Sequence, residues 1–186
     1  IIESNIKPGK LLDIGSGTNS FIEYMEKNNW LVDSYDNYSS STINNLNEID
    51  DSYYDVITLW HSIEHIYNLD DTILNIKRIL KTNGILYIAC PNVNSIDSKL
   101  LGNTWVAYDP PRHIYHFSYI TMKQFLYKNN IIIIKHHRMM QDLFFNVFKT
   151  KRINIMYKII TLIISFVLII FFKKYSSSYL FVCKNK

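Results

Sequence analysis

The residues that most restrict the fold of this chain are Lys10-Leu11-Leu12-Asp13-Ile14, a strand-like run that stops abruptly at Gly15-Ser16-Gly17. Apolar residues at helical spacing follow at Phe21, Ile22, Tyr24 and Met25, up to Asn28-Asn29. The alternation then repeats. A second short strand is predicted over 30–35, closing on Asp36-Asn37, and Ser39-Ser40-Ser41-Thr42 could cap a short helix through Leu46. A buried strand covers 54–60. An amphipathic helix opens at Leu69-Asp70-Asp71, carries Ile73, Leu74, Ile76, Ile79 and Leu80, and closes at Asn83-Gly84. An apolar strand over 85–90 ends at Pro91-Asn92. Strands and helices alternating in this way make βαβ units with right-handed crossovers. The expected fold class is therefore α/β: a Rossmann-like, mostly parallel twisted sheet with helices on both faces. Beyond residue 91 the pattern loosens into a loop at 109–113, a helix from Ser118 through Tyr127, a strand at 131–135 and a last strand at 179–183, expected to be antiparallel.

Gly15-Ser16-Gly17 lies at the carboxyl end of the first strand, where open α/β sheets bind ligands. Glycine allows a tight turn and close backbone approach. The helix beginning near Ser20 offers free N–H groups to an anionic ligand. Asp36, at the end of the second strand, is placed to accept hydrogen bonds from a ribose diol. A bare structural turn followed by a solvated Asp36 is the competing reading. A dinucleotide fingerprint would want glycine near Ser20, and Thr18, Asn19 and Ser20 depart from it. This weakens the alternative of an NAD-dependent oxidoreductase.

The wider pattern carries a family resemblance. Leu11-Leu12-Asp13-Ile14-Gly15-Ser16-Gly17-Thr18 resembles the first motif of class I S-adenosylmethionine-dependent methyltransferases. Residues 54–66 are similar to that family's fourth strand and the turn after it. Arg78-Ile79-Leu80-Lys81-Thr82-Asn83-Gly84 and the following strand resemble its fifth-strand signature. Asp109-Pro110-Pro111-Arg112-His113-Ile114-Tyr115-His116-Phe117-Ser118 resembles a subgroup related to the ubiquinone-biosynthesis O-methyltransferases. The resemblance spans residues 8–138 and the last strand. It implies S-adenosylmethionine as cofactor and methyl transfer to a small-molecule acceptor, at a hydroxyl oxygen. It further implies that Asp13, Gly15, Ser16 and Gly17 hold the methionine part, that Asp36 holds the ribose, and that Trp60 and His61 line the sulfonium side. Asn19 replaces the usual third glycine and can adopt a left-handed conformation. The stretch from Asp36 to Tyr54 is short, so the third strand and its helix must be reduced; Asp50 and Asp51 are the candidates for the adenine-binding acid.

His113 and His116 share their loop with Arg112. A neutral imidazole can take a hydroxyl proton near pH 7, so these histidines are the candidate general bases. Arg112 could orient an anionic substrate with its guanidinium fork. A purely structural role for this loop is the alternative, and His136 and His137 read as solvated or structural. His61-Ser62-Ile63-Glu64-His65 also matches H-x-x-E-H, a zinc-peptidase motif. Zinc would need both histidines on one helical face, whereas His61 directly follows a buried strand, so no metal site is assigned. His65 is expected to fix the turn.

The net charge of +4 is too small for a dedicated nucleic-acid binder. Cys90 and Cys183 cannot build a disulfide framework; buried reduced thiols are expected, in a cytoplasmic protein. The chain starts without Met, and an N-terminal segment is expected to be missing. Residues 139–177 form a hydrophobic insert between the methyltransferase-like core (1–138) and its last strand (178–186). Within it, 153–172 is apolar with basic residues on both sides. It is expected to lie in a membrane interface, peripheral to the inner face. A helix buried against its own domain or a second subunit in a homodimer, or a single span, are the alternatives, and 30 Ile against 2 Ala make any isoleucine-rich run less informative. A catalytically idle membrane-associated binding module is the remaining reading of the whole.

Overall fold

A computed structural model of the protein describes residue 2, residues 6–36 and residues 41–186. Its strands are β1 (Lys10–Ile14), β2 (Leu31–Tyr35), β3 (Tyr54–Trp60), β4 (Leu80–Pro91), β5 (Ile131–Arg138) and β6 (Ser178–Asn185). They form one sheet in the order β2-β1-β3-β4-β6-β5. The β1–β2, β1–β3 and β3–β4 pairs are parallel, while β6 runs antiparallel to both β4 and β5. The helices are α1 (Ser20–Lys27), α2 (Leu69–Ile79), α3 (Ile96–Leu101), α4 (Tyr119–Lys128), α5 (Gln141–Lys149) and α6 (Ile155–Phe171). The α/β sheet with one antiparallel strand is as expected.

Strand periodicity divides the core in two. Leu12, Ile14, Ile57, Leu59, Leu86, Ile88 and Phe181 point to one face, where Ile73 and Ile76 of α2 and Met122 and Leu126 of α4 cover them. Leu11, Val56, Tyr87, Ala89, Leu180 and Val182 point to the other, against Met25 of α1 and Trp30. These strands are therefore apolar on both faces, as a sheet sandwiched by helices requires. Ser118 caps α4 in a reciprocal capping box with Thr121. Cys90 and Cys183 are buried and unbridged; burial pushes the Cys183 thiol up to about 12.

Three expectations need correction. Ser39 and Ser40 lie outside the described residues, but 41–45 is not helical, and only a single 3-10 turn, Leu46–Glu48, follows. Helix α2 does not run on to Asn83-Gly84. It stops at Ile79, and the chain enters β4 at once through an irregular register in which Tyr54 faces Leu80 and Val56 already faces Ile85. His136 and His137 do not follow a strand but belong to β5.

Helices α5 and α6 lie between β5 and β6. Leu143, Val147 and Ile169 join Leu101, Trp105 and Ala107 in a third apolar cluster at the edge of the sheet. The side of α6 turned to the protein carries Thr161, Ser165 and Ile169, so its two hydroxyl side chains face inward. Outward, Ile155, Met156, Ile159, Ile160, Ile163, Phe166, Val167, Ile170 and Phe171 are exposed. No helix among the described residues is long and apolar enough to cross a membrane. At a rise of about 1.5 Å per residue α6 measures about 26 Å, and β6 returns to the sheet beside β5. The single span is thereby set aside.

Candidate functional site

The carboxyl ends of β1, β2 and β3 open on a cavity of about 720 Å³, whose wall includes Gly15, Asp36, His61, Ser62, His65 and Arg112. The turn after β1 explains the need for glycine. Gly15 has φ +83, and a Cβ there would sit 2.3 Å from Ser62 Cβ. The Gly15 N–H donates to Tyr35 O at 2.8 Å, and Ser62 Oγ donates to Ile14 O at 2.6 Å, so β1, β2 and the turn after β3 are tied together here. Gly17 has φ +54 with open space where a Cβ would be. Its N–H donates to Asp36 Oδ2 at 3.2 Å, which closes the loop onto the second strand. Asn19 takes the left-handed conformation, φ 61, at the N-cap of α1.

Of the sequence-derived cofactor positions, Gly15, Asp36 and His61 line the cavity, whereas Asp13, Ser16, Gly17 and Trp60 are not part of its wall. Asp13 lies behind it, 2% exposed, and accepts a hydrogen bond from Thr58 Oγ1 at 2.5 Å. Burial raises its carboxyl to about 6, with the Thr58 bond pulling it down and the Asp36 charge adding to the rise. Trp60 meets Phe21 edge-on, ring centroids 5.5 Å apart. Neither Asp50 nor Asp51 reaches the cavity; Asp51 pairs with Arg78 at 2.7 Å.

His61 takes a left-handed conformation, φ 51, immediately after β3. Its Nε2 stands 3.0 Å from Asp142 of α5 and its Nδ1 3.6 Å from Glu64. Burial pushes its pKa down, but the close contact with Asp142 and the negative charges of Asp142 and Glu64 outweigh this and lift it to about 10. The H-x-x-E-H residues are not on a helix: Ile63–His65 is one 3-10 turn. His65 does fix this turn, since its Nδ1 donates to Arg112 O at 2.9 Å. The Ile114 and Tyr115 N–H groups both donate to Glu64 O, at 2.8 and 3.3 Å.

The loop after α3 is thus clamped over the end of β3. Among its expected catalytic residues, Arg112 lines the cavity, whereas His113 and His116 line a separate small recess with Glu64 and Trp105. His113 Nδ1 donates to Ala107 O at 2.7 Å, and its ring packs edge-on against His65 at 4.6 Å. Burial holds the His113 pKa below its usual value, against the opposing pull of Glu64. His116 is exposed and bonds Tyr108 O at 3.1 Å. The sequence reading gave His65 only a structural role. Its place on the cavity wall follows from the left-handed residue at His61, which turns the chain toward the opening.

A family model described as a methyltransferase domain matches residues 1–135. The chain belongs to that methyltransferase family. No curated protein matches it. Among solved structures, this methyltransferase is similar to a SAM-dependent methyltransferase from Archaeoglobus fulgidus, with TM-score 0.64 and 18% identity over 96% of this chain and 86% of that one. It is also similar to Haemonchus contortus phosphoethanolamine N-methyltransferase 2 in complex with S-adenosyl-L-methionine, with TM-score 0.62, 13% identity and 97% of this chain covered. This methyltransferase spans only 49% of that enzyme. A third neighbour is Burkholderia thailandensis 1,6-didemethyltoxoflavin-N1-methyltransferase with bound 1,6-didemethyltoxoflavin and S-adenosylhomocysteine, with TM-score 0.61, 12% identity and coverage of 97% of this chain and 72% of that one.

Proposed function

We propose that the protein transfers a methyl group from S-adenosylmethionine to a hydroxyl oxygen of a small, lipophilic acceptor, and that it works at an anionic membrane surface. The observation that carries the cofactor assignment is the pairing of the Gly15 turn with Asp36 on one cavity wall. The cavity of about 720 Å³ leaves room for a nucleoside with an extended methionine tail, and the open space at Gly17 admits close backbone approach. Asp36 accepts from the ribose hydroxyls. Asp13, behind the loop, supplies a negative charge toward the cofactor's ammonium group. His61, on the wall, bounds the sulfonium end, with Trp60 behind it. The structural neighbours named with S-adenosylmethionine or S-adenosylhomocysteine support this cofactor over NAD.

In the reaction the acceptor oxygen attacks the methyl carbon in line, the sulfonium C–S bond breaks, and the hydroxyl loses its proton. Positioning supplies much of the rate in such a displacement. Arg112, on the cavity wall and held by Asp109 at 2.5 Å, orients the acceptor. The imidazole on the wall, His65, is the one placed to take the proton, while His113 packs edge-on behind it and, with His116, faces the separate recess. The likeness of residues 109–118 to ubiquinone-biosynthesis O-methyltransferases favours oxygen over nitrogen as the acceptor atom.

The membrane part rests on the inverted polarity of α6. It turns Thr161 and Ser165 to the protein and a broad isoleucine and phenylalanine face outward, where Phe144, Phe145 and Phe148 of α5 extend it. Lys149, Lys151 and Arg152 precede the helix and Lys173 and Lys174 follow it, while no acid lies in its first turn. An apolar face between basic ends suits a helix lying in the headgroup region of anionic lipid. In this reading 139–177 is an insert into a core formed by 1–138 and 178–186. Incubation with methyl-labelled S-adenosylmethionine and a panel of phenolic, aliphatic-alcohol and amine acceptors, with products identified by mass, tests the reaction. O-methyl products are expected; N-methyl products alone would overturn the choice of oxygen.

A further inference from the structure

Helix α5 belongs to the insert between β5 and β6, yet one of its side chains reaches a residue of the cavity wall. Asp142, in the first turn of α5, stands 3.0 Å from His61 Nε2, and His61 lines the cavity. We infer that Asp142 is a positioning and specificity-determining residue of the cofactor site: with His61 and Glu64 it forms a group with one negative charge in excess, which favours the cationic sulfonium of S-adenosylmethionine over the neutral thioether of S-adenosylhomocysteine. The inference rests on the cofactor reading of the cavity, in which His61 bounds the sulfonium end.

The geometry of His61 shows how it is held. It takes φ 51 directly after β3, a conformation that a side chain other than glycine keeps only where its surroundings impose it. Two carboxylates grip the ring from different elements. Glu64 faces Nδ1 at 3.6 Å from the 3-10 turn, and Asp142 faces Nε2 at 3.0 Å from α5. With a carboxylate at each nitrogen the ring is an imidazolium, in keeping with its pKa of about 10. These two acids are the charged groups that act on it.

The charges of the group are neither screened by water nor neutralised elsewhere. Glu64 is 1% exposed, the Asp142 side chain is largely buried, and neither Glu64 oxygen nor Asp142 Oδ2 has a hydrogen-bond partner. Asp142 also sits at the N-terminal end of α5, where the helix dipole favours a carboxylate. One imidazolium against two carboxylates leaves one negative charge uncompensated, and the weakly screening surroundings extend its reach. A ligand that is positive at the adjacent end of the cavity gains from this charge, whereas a neutral ligand of nearly the same shape does not. S-adenosylmethionine and S-adenosylhomocysteine differ there by one methyl group and one charge, so the group distinguishes cofactor from product. The sulfur loses its charge as the methyl group leaves, so the effect lies in the exchange of product for cofactor and not in the displacement itself. The insert thereby forms part of the cofactor site.

The test is calorimetric titration of the full chain with S-adenosylmethionine, S-adenosylhomocysteine and an analogue that carries an amine in place of the sulfonium. Asp142→Asn keeps the side-chain shape and removes one charge. It should weaken binding of the two cationic ligands relative to S-adenosylhomocysteine by roughly threefold to tenfold, the scale for losing a unit charge nearby in a partly buried site. A merely structural role would weaken all three ligands alike. Asp142→Glu should keep the charge and the parent's ratio. Glu64→Gln removes the other carboxylate charge and should move the ratio in the same direction, so the inference is decided even where Asp142→Asn does not fold. Glu26→Gln, which removes an exposed carboxylate on α1 outside the cavity wall, should leave the ratio as in the parent. Thermal unfolding establishes which variants are folded. An unchanged ratio in folded Asp142→Asn or Glu64→Gln, with a parent that binds S-adenosylmethionine, overturns this inference and leaves the cofactor reading standing. A parent that binds none of the three ligands overturns the cofactor reading and this inference with it.

Discussion

Replacing Asp13 with Asn should make the protein more stable, and only above a definite pH. The carboxyl is 2% exposed and its pKa is raised from 3.8 to about 6, chiefly by burial. In the unfolded chain it ionises near 3.8, while in the folded chain it keeps its proton until about 6. Folding is therefore unopposed by this group below the unfolded value. Between the two values the parent loses stability as pH rises, and above the folded value the loss is complete. A shift of about two units at about 1.36 kcal/mol each amounts to about 3 kcal/mol at neutral pH. Asn carries no charge to desolvate, and its Oδ1 can still accept the Thr58 hydrogen bond. Urea unfolding of both proteins from pH 3.5 to 8, followed by circular dichroism, gives the difference directly. The curves should coincide at the acid end and separate by up to about 3 kcal/mol by pH 7, with Asn the more stable. Introducing Asp36→Asn should shrink the separation and complete it at a lower pH, because the Asp36 charge contributes to the rise. A difference that does not vary with pH would refute the reasoning, as would an Asn variant that loses ground as pH rises.

The cofactor loop gives a graded pair. Gly15→Ala drives a Cβ to 2.3 Å from Ser62 Cβ and should abolish S-adenosylmethionine binding, whereas Gly17→Ala meets open space and should cost only the left-handed strain, about 1 kcal/mol of stability by thermal melt. His65→Ala should lower turnover by roughly 10²–10⁴-fold with little change in cofactor affinity, measured by initial rates and calorimetry. On α6, Ile163→Lys with Phe166→Lys should move the protein off vesicles of anionic lipid in a flotation assay while leaving cofactor binding intact. Unaltered flotation would refute the role of α6 in lipid binding, and a parent that does not float and sediments as a dimer would assign the exposed face to a second subunit.

Much of the sheet was legible because its strands are short apolar runs bounded by Gly, Asn and Pro. The period-2 division of Leu11 from Leu12 and of Val56 from Ile57 follows directly from burial on two faces. The end of α2 was missed because Asn83-Gly84 reads as a helix cap, yet Tyr54–Leu80 pairing draws the chain into the sheet one turn earlier. Local turn chemistry lost to a long-range ladder. The Gly15 turn and Asp36 were readable from spacing, and their meeting on one wall follows from the parallel β1–β2 register. Asp13 and Trp60 share those motifs but sit behind the wall, since alternate strand residues point away from it. Glu64 and His65 stood out in the H-x-x-E-H match and His113 in its loop, but that the three meet was not readable. Their meeting joins segments about fifty residues apart through backbone bonds to Glu64 O, and no local pattern announces them. The apolar character of 153–172 was visible in the sequence, but which side of α6 faces outward depends on its packing against α3 and α5.

The central claim is that the Gly15–Asp36 wall holds S-adenosylmethionine. Calorimetric titration of the full chain with S-adenosylmethionine, S-adenosylhomocysteine and NAD, repeated on Asp36→Ala, tests it most directly. The first two ligands should bind one per chain, NAD should not bind, and Asp36→Ala should weaken binding by about 1.5–3 kcal/mol, the range for hydrogen bonds to a charged acceptor. NAD binding in preference to S-adenosylmethionine, or a folded Asp36→Ala variant that binds S-adenosylmethionine as the parent does, would contradict the account.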